Sequence, residues 1–418
     1  VRVAATRPIC ASDLQATVGA VLDRRLRPGH TRPVAVALSG GGDSLALLLA
    51  AEAWARREGR TLVVLTVDHR LKPASADWTV ACAATAARLG LGFRALNWDG
   101  AKPANGLPAA ARAARHRLLA DAASQAGARV ILLGHTADDA REAARMRETG
   151  STTPSPREWS PSPAWPEGRG LFLLRPLLSL GRGEIRDWLS ARGETWIDDP
   201  ANADLAYARP RARRDLAEWP GVAPPADEVS AKDLALACRA DAGGGLHLKR
   251  ASLRDAAPGA AQRFVSAACL CAAGTDRPPS AARVKALVAR LTGAGDLAAT
   301  LAGARIETDE HEVRFLREAG EAARGGLAPL SLAAGERGVW DGRFEITAEG
   351  SIEVRALAGL AKHLLKAEQA ELRGLPPRLR PTLPVIADAA GQVARAVAEP
   401  LALDRLLAAC GAVDREPA

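Results

Sequence analysis

Ser39-Gly40-Gly41-Gly42-Asp43-Ser44 lies between the apolar run Val34 to Leu38 and an Ala/Leu-rich stretch from Leu45 to Arg56. The apolar run is compact and stopped by the glycines, which predicts a buried strand. The stretch that follows predicts a helix, with Asp43 or Ser44 well placed to cap it. A strand, a glycine-rich turn and a helix N-terminus make an anion site. Successive backbone N–H groups point outward, and the helix dipole adds positive potential. The glycines let phosphate oxygens approach the main chain, and the two serines add hydroxyl donors. No lysine lies in or just after the turn. It is therefore not the kinase-type P-loop, which needs a Gly-Lys-Ser/Thr ending.

Outward from this turn, strand and helix patterns alternate. Leu62 to Val67, Phe93 to Trp98, Arg129 to Leu133 and Leu171 to Leu174 read as strands. Helical stretches fall around Trp78 to Leu89, Leu107 to Ala126 and Gly183 to Arg192. Such alternation predicts an α/β, Rossmann-like parallel sheet covered on both faces. Ligands of such sheets sit beyond the carboxyl ends of the strands. The Ser39 loop, Asp68-His69 and His135-Thr136 each follow a predicted strand, so they are expected to converge on one crevice. Gly150 to Gly170 interrupts the pattern with five prolines, Trp159 and Trp165, and reads either as a linker or as an ordered, partner-stacking loop.

Beyond Leu216 the texture changes. Lys232 to Ala240, Ala260 to Cys271 and Ala281 to Leu291 predict helices, whereas Ile306 to Phe315 and Gly338 to Ile346 predict strands. The expected organisation is an N-terminal extension at 1–30, an α/β domain at 31–216, a helical domain at 217–326 and a small mixed domain at 327–418. The net charge of +8 favours a polyanionic partner. Codon bias in an Ala- and Arg-rich chain would give the same total, so the clustering of charge carries more weight than its sum. The six cysteines form no Cys-x-x-Cys pair, which argues against a zinc knuckle or an iron–sulfur cluster and for a reduced, cytoplasmic setting. No apolar run approaches the length of a membrane span, and residues 1–30 do not read as a signal peptide.

The Ser-Gly-Gly-x-Asp-Ser turn after a first strand resembles that of the PP-loop ATP pyrophosphatases, which split ATP into AMP and pyrophosphate to activate a carbonyl oxygen. Val67-Asp68-His69 with Leu71-Lys72-Pro73, Ala111-Arg112-Ala113-Ala114-Arg115 and His135-Thr136-Ala137-Asp138-Asp139 narrow the likeness. So do Arg175-Pro176-Leu177-Leu178, Trp196-Ile197-Asp198-Asp199-Pro200 and the Arg209-to-Arg214 cluster. In this order they are similar to the tRNA(Ile)-lysidine synthetases, over roughly half the chain. The resemblance implies ATP-dependent ligation of free lysine to the wobble cytidine of a tRNA(Ile) with a CAU anticodon, through an adenylated cytidine.

It also implies site residues. Ser39, Gly40, Gly41, Gly42, Asp43, Ser44, Val67, Asp68, His69, His135 and Thr136 would hold ATP. A carboxylate beside a phosphate nest is repulsive without an intervening cation, which makes Asp43 the candidate Mg²⁺ ligand; an ordinary helix cap is its other reading. Arg112 and Arg115, three apart on one helix face, would meet nucleotide or tRNA phosphates, as would Arg209, Arg211, Arg213 and Arg214. A solvated arginine face and an interdomain linker are the plainer alternatives. Asp139 and Glu142, again three apart and so on one helix face, would act with Asp43 in catalysis, and as a carboxylate pair would bind lysine, anchoring its cation and accepting a proton from the attacking amine; two solvated acids on a helix that also carries Arg141 and Arg145 are the plainer alternative.

Departures from the family pattern stand at His116, Ala140, Ala143 and Pro210, and a proline-rich loop replaces the usual Gly-Ser-Gly stretch. Three other readings stay open: a tRNA thiolase, an amidotransferase-type synthetase and a non-catalytic RNA-binding relative.

Overall fold

The computed structural model describes residues 11–151, 154–199, 208–218, 230–387 and 392–418. The chain divides into two compact units, Val1–Asp227 with Asp414–Ala418, and Glu228–Val413.

The first unit is built on a six-stranded sheet. Its elements are α1 (Ala11–Arg25), β1 (Val34–Ala37), α2 (Gly42–Glu58), β2 (Leu62–Asp68), α3 (Ser75–Arg88), β3 (Gly92–Asn97), α4 (Leu107–Gln125), β4 (Val130–Leu132), α5 (Ala137–Glu148), β5 (Trp159–Pro161), β6 (Phe172–Leu174), α6 (Arg182–Ser190) and α7 (Ala208–Glu218). The strand order is β3-β2-β1-β4-β6-β5. All neighbours are parallel except β5, which runs antiparallel on the edge beside β6.

Period-two alternation sends the strands' side chains into two separate cores. Val34, Val36, Val64, Val130, Leu132 and Leu174 join Leu14, Val18, Leu22, Leu45, Leu48, Ile185 and Trp188 on one face. Ala35, Leu65, Ile131 and Leu173 join Leu119, Ala120 and Ala123 on the other. The expected parallel sheet with helices on both faces is thus present. Helix α1 lies in the segment read as an extension, yet its Leu14, Val18 and Leu22 are part of the first core.

The proline-rich stretch supplies an edge strand. Trp159 stacks on Phe172 at 4.7 Å, and Glu158 bridges Arg24 and Arg25 of α1 at 2.6 and 2.9 Å. Proline suits such a position because an edge strand can dispense with a ladder N–H. Residues 414–418 also belong to this unit. Glu416, fully buried, pairs with Arg60 at 2.9 Å, accepts from the Arg27 backbone N–H at 3.0 Å and donates its own N–H to the Arg25 carbonyl.

In the second unit, the region read as helical also carries a five-stranded antiparallel sheet. Its strands are β7 (Arg239–Ala240), β8 (Leu246–Lys249), β9 (Leu297–Leu301), β10 (Ala304–Thr308) and β11 (Glu312–Arg317), in the order β7-β8-β11-β10-β9. The helix Pro258–Ala273 packs Phe264, Val265 and Ala268 on the Ile306, Val313 and Phe315 face of that sheet. A second core, from Leu316 to Val385, gathers two small antiparallel sheets around Trp340, Phe344 and Val354. No helix among the described residues is long and apolar enough to cross a membrane.

Candidate active site

The crevice lies where β1 and β4 are adjacent and the strand order reverses, the position at which open α/β sheets bind ligands. Neither Asp43 nor Ser44 caps α2, contrary to expectation. The N-cap is Gly41, and no side chain there accepts a hydrogen bond from the first turn. Ser44 is turned back into the loop instead: its Oγ donates to the Gly41 carbonyl at 2.9 Å and accepts from the Ser39 N–H at 3.2 Å. The helix therefore presents uncapped N–H groups to an incoming anion.

Two glycines make this packing feasible. Gly40 has φ +84°, and a Cβ on it would stand 2.6 Å from Ile197 Cδ1. Ile197 donates its N–H to the Gly40 carbonyl at 2.9 Å, so the Trp196-Ile197 segment sits directly against the loop. A Cβ on Gly134 would be 3.0 Å from the Asp43 and Ser44 backbone, which brings the end of β4 against the start of α2.

Asp43, in the first turn of α2, meets two carboxylates from α5. The guanidinium of Arg182, the first residue of α6, lies among them. Its Nε donates to Asp43 Oδ2 at 3.2 Å, its Nη1 donates to Glu142 Oε1 at 3.2 Å, and its Nη2 is 3.7 Å from Asp139 Oδ1. Its backbone N–H donates to Asp138 Oδ2 at 2.7 Å. Burial disfavours the charge on Arg182, but Glu142, Asp43 and Asp139 outweigh it and hold its pKa above the usual value. Burial pushes the Asp43 carboxyl up, against the pull of Arg182. Asp139 has a second task, accepting from the Thr136 N–H at 2.9 Å through Oδ2 and so fastening the start of α5.

Glu142 is 1 % exposed, and its Oε2 is buried with no hydrogen-bond partner among the described residues. Arg213 Nε donates to its Oε1 at 2.8 Å, and Arg209 Nε stands 4.0 Å from Oε2. This revises the reading of residues 209–214. Arg209 and Arg213, four apart on α7, turn toward Asp139 and Glu142, because buried carboxylates demand counter-charge. Arg211 and Arg214 are exposed.

A second cationic group stands beside the first. Arg112, Arg115 and Arg175 stand near one another, with Arg209 beside Arg112 and Arg115; burial and then Arg209 lower the pKa of Arg112. Burial first, then Arg112 and Arg209, brings Arg115 down to about 10, and burial first, then Arg112, Arg157 and Arg115, does the same to Arg175. Among the described residues, neither the Arg112 nor the Arg115 side chain has a hydrogen bond or ion pair. Arg175 Nε donates to His135 Nδ1 at 3.3 Å, and burial with the surrounding arginines lowers the His135 pKa well below its ordinary value. Arg115 also acts electrostatically on His69, whose pKa burial lowers first and whose buried Nδ1 has no hydrogen-bond partner among the described residues. His69 contacts Trp98 edge-on, and Asp68 Oδ1 accepts from the Arg70 N–H at 2.7 Å. Val67 lies partly buried at the end of β2. His116, given no role, is buried in the helix and held neutral by burial and neighbouring arginines.

Residues 14–219 match the PP-loop domain family. The chain is 48 % identical to the tRNA(Ile)-lysidine synthase of Caulobacter vibrioides, over 96 % of this chain and 98 % of that protein. The chain belongs to the tRNA(Ile)-lysidine synthase family. The corresponding protein of Hyphomonas neptunium is 35 % identical, over 76 % of this chain and 89 % of that one. A solved U34-tRNA thiolase from Methanococcus maripaludis is similar at 14 % identity and a TM-score of 0.41, over 49 % of this chain and 72 % of that one.

Cys82 is the one cysteine among the described residues of the first unit; it is buried, and burial raises its pKa. Among the described residues no group of three or more His, Cys, Asp or Glu is arranged to hold a metal. A Mg²⁺ site built from one carboxylate and substrate phosphates needs no such group. Asp43 Oδ1 fits that requirement, having no hydrogen bond among the described residues while Oδ2 is held by Arg182.

Proposed function

We propose that this chain ligates lysine to the wobble cytidine of a tRNA(Ile) bearing a CAU anticodon, in two steps within one crevice. In the first, the cytidine O2 attacks the α-phosphorus of ATP, and the bond to the β-phosphate breaks to release pyrophosphate. In the second, an amino group of lysine attacks C2, the C2–O2 bond breaks, and AMP departs with that oxygen while the amine loses a proton. The uncapped N–H groups at the start of α2 are suited to the pyrophosphate charge, which develops as the first step proceeds. Arg112 and Arg115 are suited to nucleotide or tRNA phosphate, since an anion relieves their mutual repulsion. Mg²⁺, when bound at Asp43, would neutralise phosphate charge.

The observation that carries the lysine assignment is Glu142. A buried carboxylate oxygen without a donor is costly unless a ligand supplies one. It shares Arg182 with Asp43, which sets it beside the phosphate loop. An ammonium of lysine satisfies that oxygen, and Asp139 Oδ1 lies on the same helix face. The substrates belong to the cytoplasm, and so, on this reading, does the enzyme. The test is incubation of the purified chain with tRNA(Ile), ATP and lysine, followed by nucleoside mass spectrometry and phosphate analysis. Lysidine with AMP and pyrophosphate is expected; ADP and phosphate, or an unmodified cytidine, would refute the assignment.

A further inference from the structure

We propose that Arg182 is a positioning residue that aligns the carboxylate of the ATP half-reaction with that of the lysine half-reaction through one planar guanidinium. The inference rests on the function proposed above. Asp43 comes from α2 and Glu142 from α5, and no other described residue bonds to both. Arg182 takes one oxygen of each, Asp43 Oδ2 through Nε and Glu142 Oε1 through Nη1, both at 3.2 Å. The remaining oxygens, Asp43 Oδ1 and Glu142 Oε2, are the two without hydrogen bonds among the described residues. A carboxylate held at one oxygen has its rotamer fixed and its other oxygen available. Arg182 therefore orients both acids without needing to touch substrate itself.

The fork is itself fixed. Arg182 opens α6, its backbone N–H is held by Asp138 Oδ2 at 2.7 Å, and Asp138 Oδ1 accepts from Arg141 at 2.8 Å. The N-termini of α5 and α6 are thereby fastened together, and the side chain, 18 % exposed, has little room to move. What the arrangement requires is the fork geometry and not charge alone. A lysine is a point charge on a flexible stem and cannot hold two carboxylates from separate helices in one plane.

The decisive variant is Arg182→Lys, which keeps the charge and the backbone contact to Asp138. Two quantities are followed: pyrophosphate release with tRNA and ATP in the absence of lysine, and the lysine dependence of product formation, backed by calorimetric lysine titration. Arg182→Lys is expected to slow adenylation and to raise the lysine requirement, each by about tenfold or more. Because Arg182 acts on lysine through Glu142, the Arg182→Lys/Glu142→Gln double variant should have the lysine requirement of Glu142→Gln alone. A purely structural role predicts a lowered melting temperature with lysine affinity of the folded fraction unchanged. That result, or additive effects in the double variant, would overturn the inference. If the wild-type chain makes no lysidine, the functional reading fails instead, and the two failures are distinguishable.

Discussion

Glu142→Gln tests the lysine site most directly. The side chain is 2 % exposed, and its Oε1 accepts from Arg213 at 2.8 Å and Arg182 at 3.2 Å. Glutamine preserves the shape but removes the charge that an ammonium at Oε2 would meet. A hydrogen bond to a charged group contributes about 1.5–3 kcal/mol, so the lysine requirement should rise roughly 10- to 150-fold. Stability should also fall, because Arg182 and Arg213 lose a counter-charge. Arg213 is 41 % exposed and solvent takes over part of that charge. The loss should therefore be about 1–3 kcal/mol, less than the ~3–5 kcal/mol of a fully buried pair. The assay separates the steps, with pyrophosphate release from ATP and tRNA measured without lysine and product then measured across a lysine titration. Adenylation should persist at saturating ATP. Wild-type lysine dependence in a folded variant would refute the reasoning and leave the lysine pocket elsewhere.

Asp43→Ala should abolish formation of AMP and pyrophosphate while circular dichroism stays unchanged; retained turnover would remove Asp43 from the ATP site. Gly40→Ala should lower the melting temperature and slow AMP formation, since alanine at φ +84° costs roughly 1–3 kcal/mol and its Cβ meets Ile197. Unchanged calorimetry and turnover would contradict that packing. Arg211→Ala and Arg214→Ala should each reduce the slope of log K for tRNA against log salt by about 1, whereas Arg213→Ala should leave the slope and weaken lysine use. Equal slopes in all variants would mean that this face of α7 meets no phosphate. In the second unit, buried His247 bonds Asp241 at 2.8 Å and Glu312 at 3.1 Å, and although burial opposes protonation, these acids raise its pKa above the unfolded value. The resulting stabilisation is fully present below about pH 6.5 and is lost as pH rises through the folded value. Unfolding followed by hydrogen exchange in β8 and β11 should show this trend and lose it in His247→Gln.

The parallel sheet was legible because Val34 to Leu38 and Leu62 to Val67 are short apolar runs ended by glycine or charge, and because helix-period stretches separate them. The glycine turn between β1 and α2 was legible for the same reason. The edge strand β5 was not: Trp159-Ser160-Pro161 has neither apolar alternation nor the donors of a central strand, and only pairing with β6 defines it. Within the crevice, the spacing of Asp139 and Glu142 already implied one helix face. Arg182 gave no signal, since one arginine among many acquires meaning only when α2, α5 and α6 meet. The turn of Arg209 and Arg213 toward acids was hidden similarly, because a run of arginines reads as a phosphate patch until buried carboxylates are found beneath it. The missing cap on α2 was the instructive error. Asp and Ser at a helix start ordinarily serve the helix, and here they leave its N–H groups unclaimed.

The return of Glu416 to Arg60 and Arg27 has a consequence for biosynthesis. Residues that complete the first unit are translated after the entire second unit. At about 5–20 residues per second, the ribosome needs roughly 10–40 s to travel from the end of α7 to Glu416. Throughout that interval Arg60 waits in the nascent sheet domain with its buried counter-ion not yet made. The nascent first unit is therefore held short of its final stability until the second has emerged. A chain halted before Glu416 should be the more readily degraded by quality-control proteases.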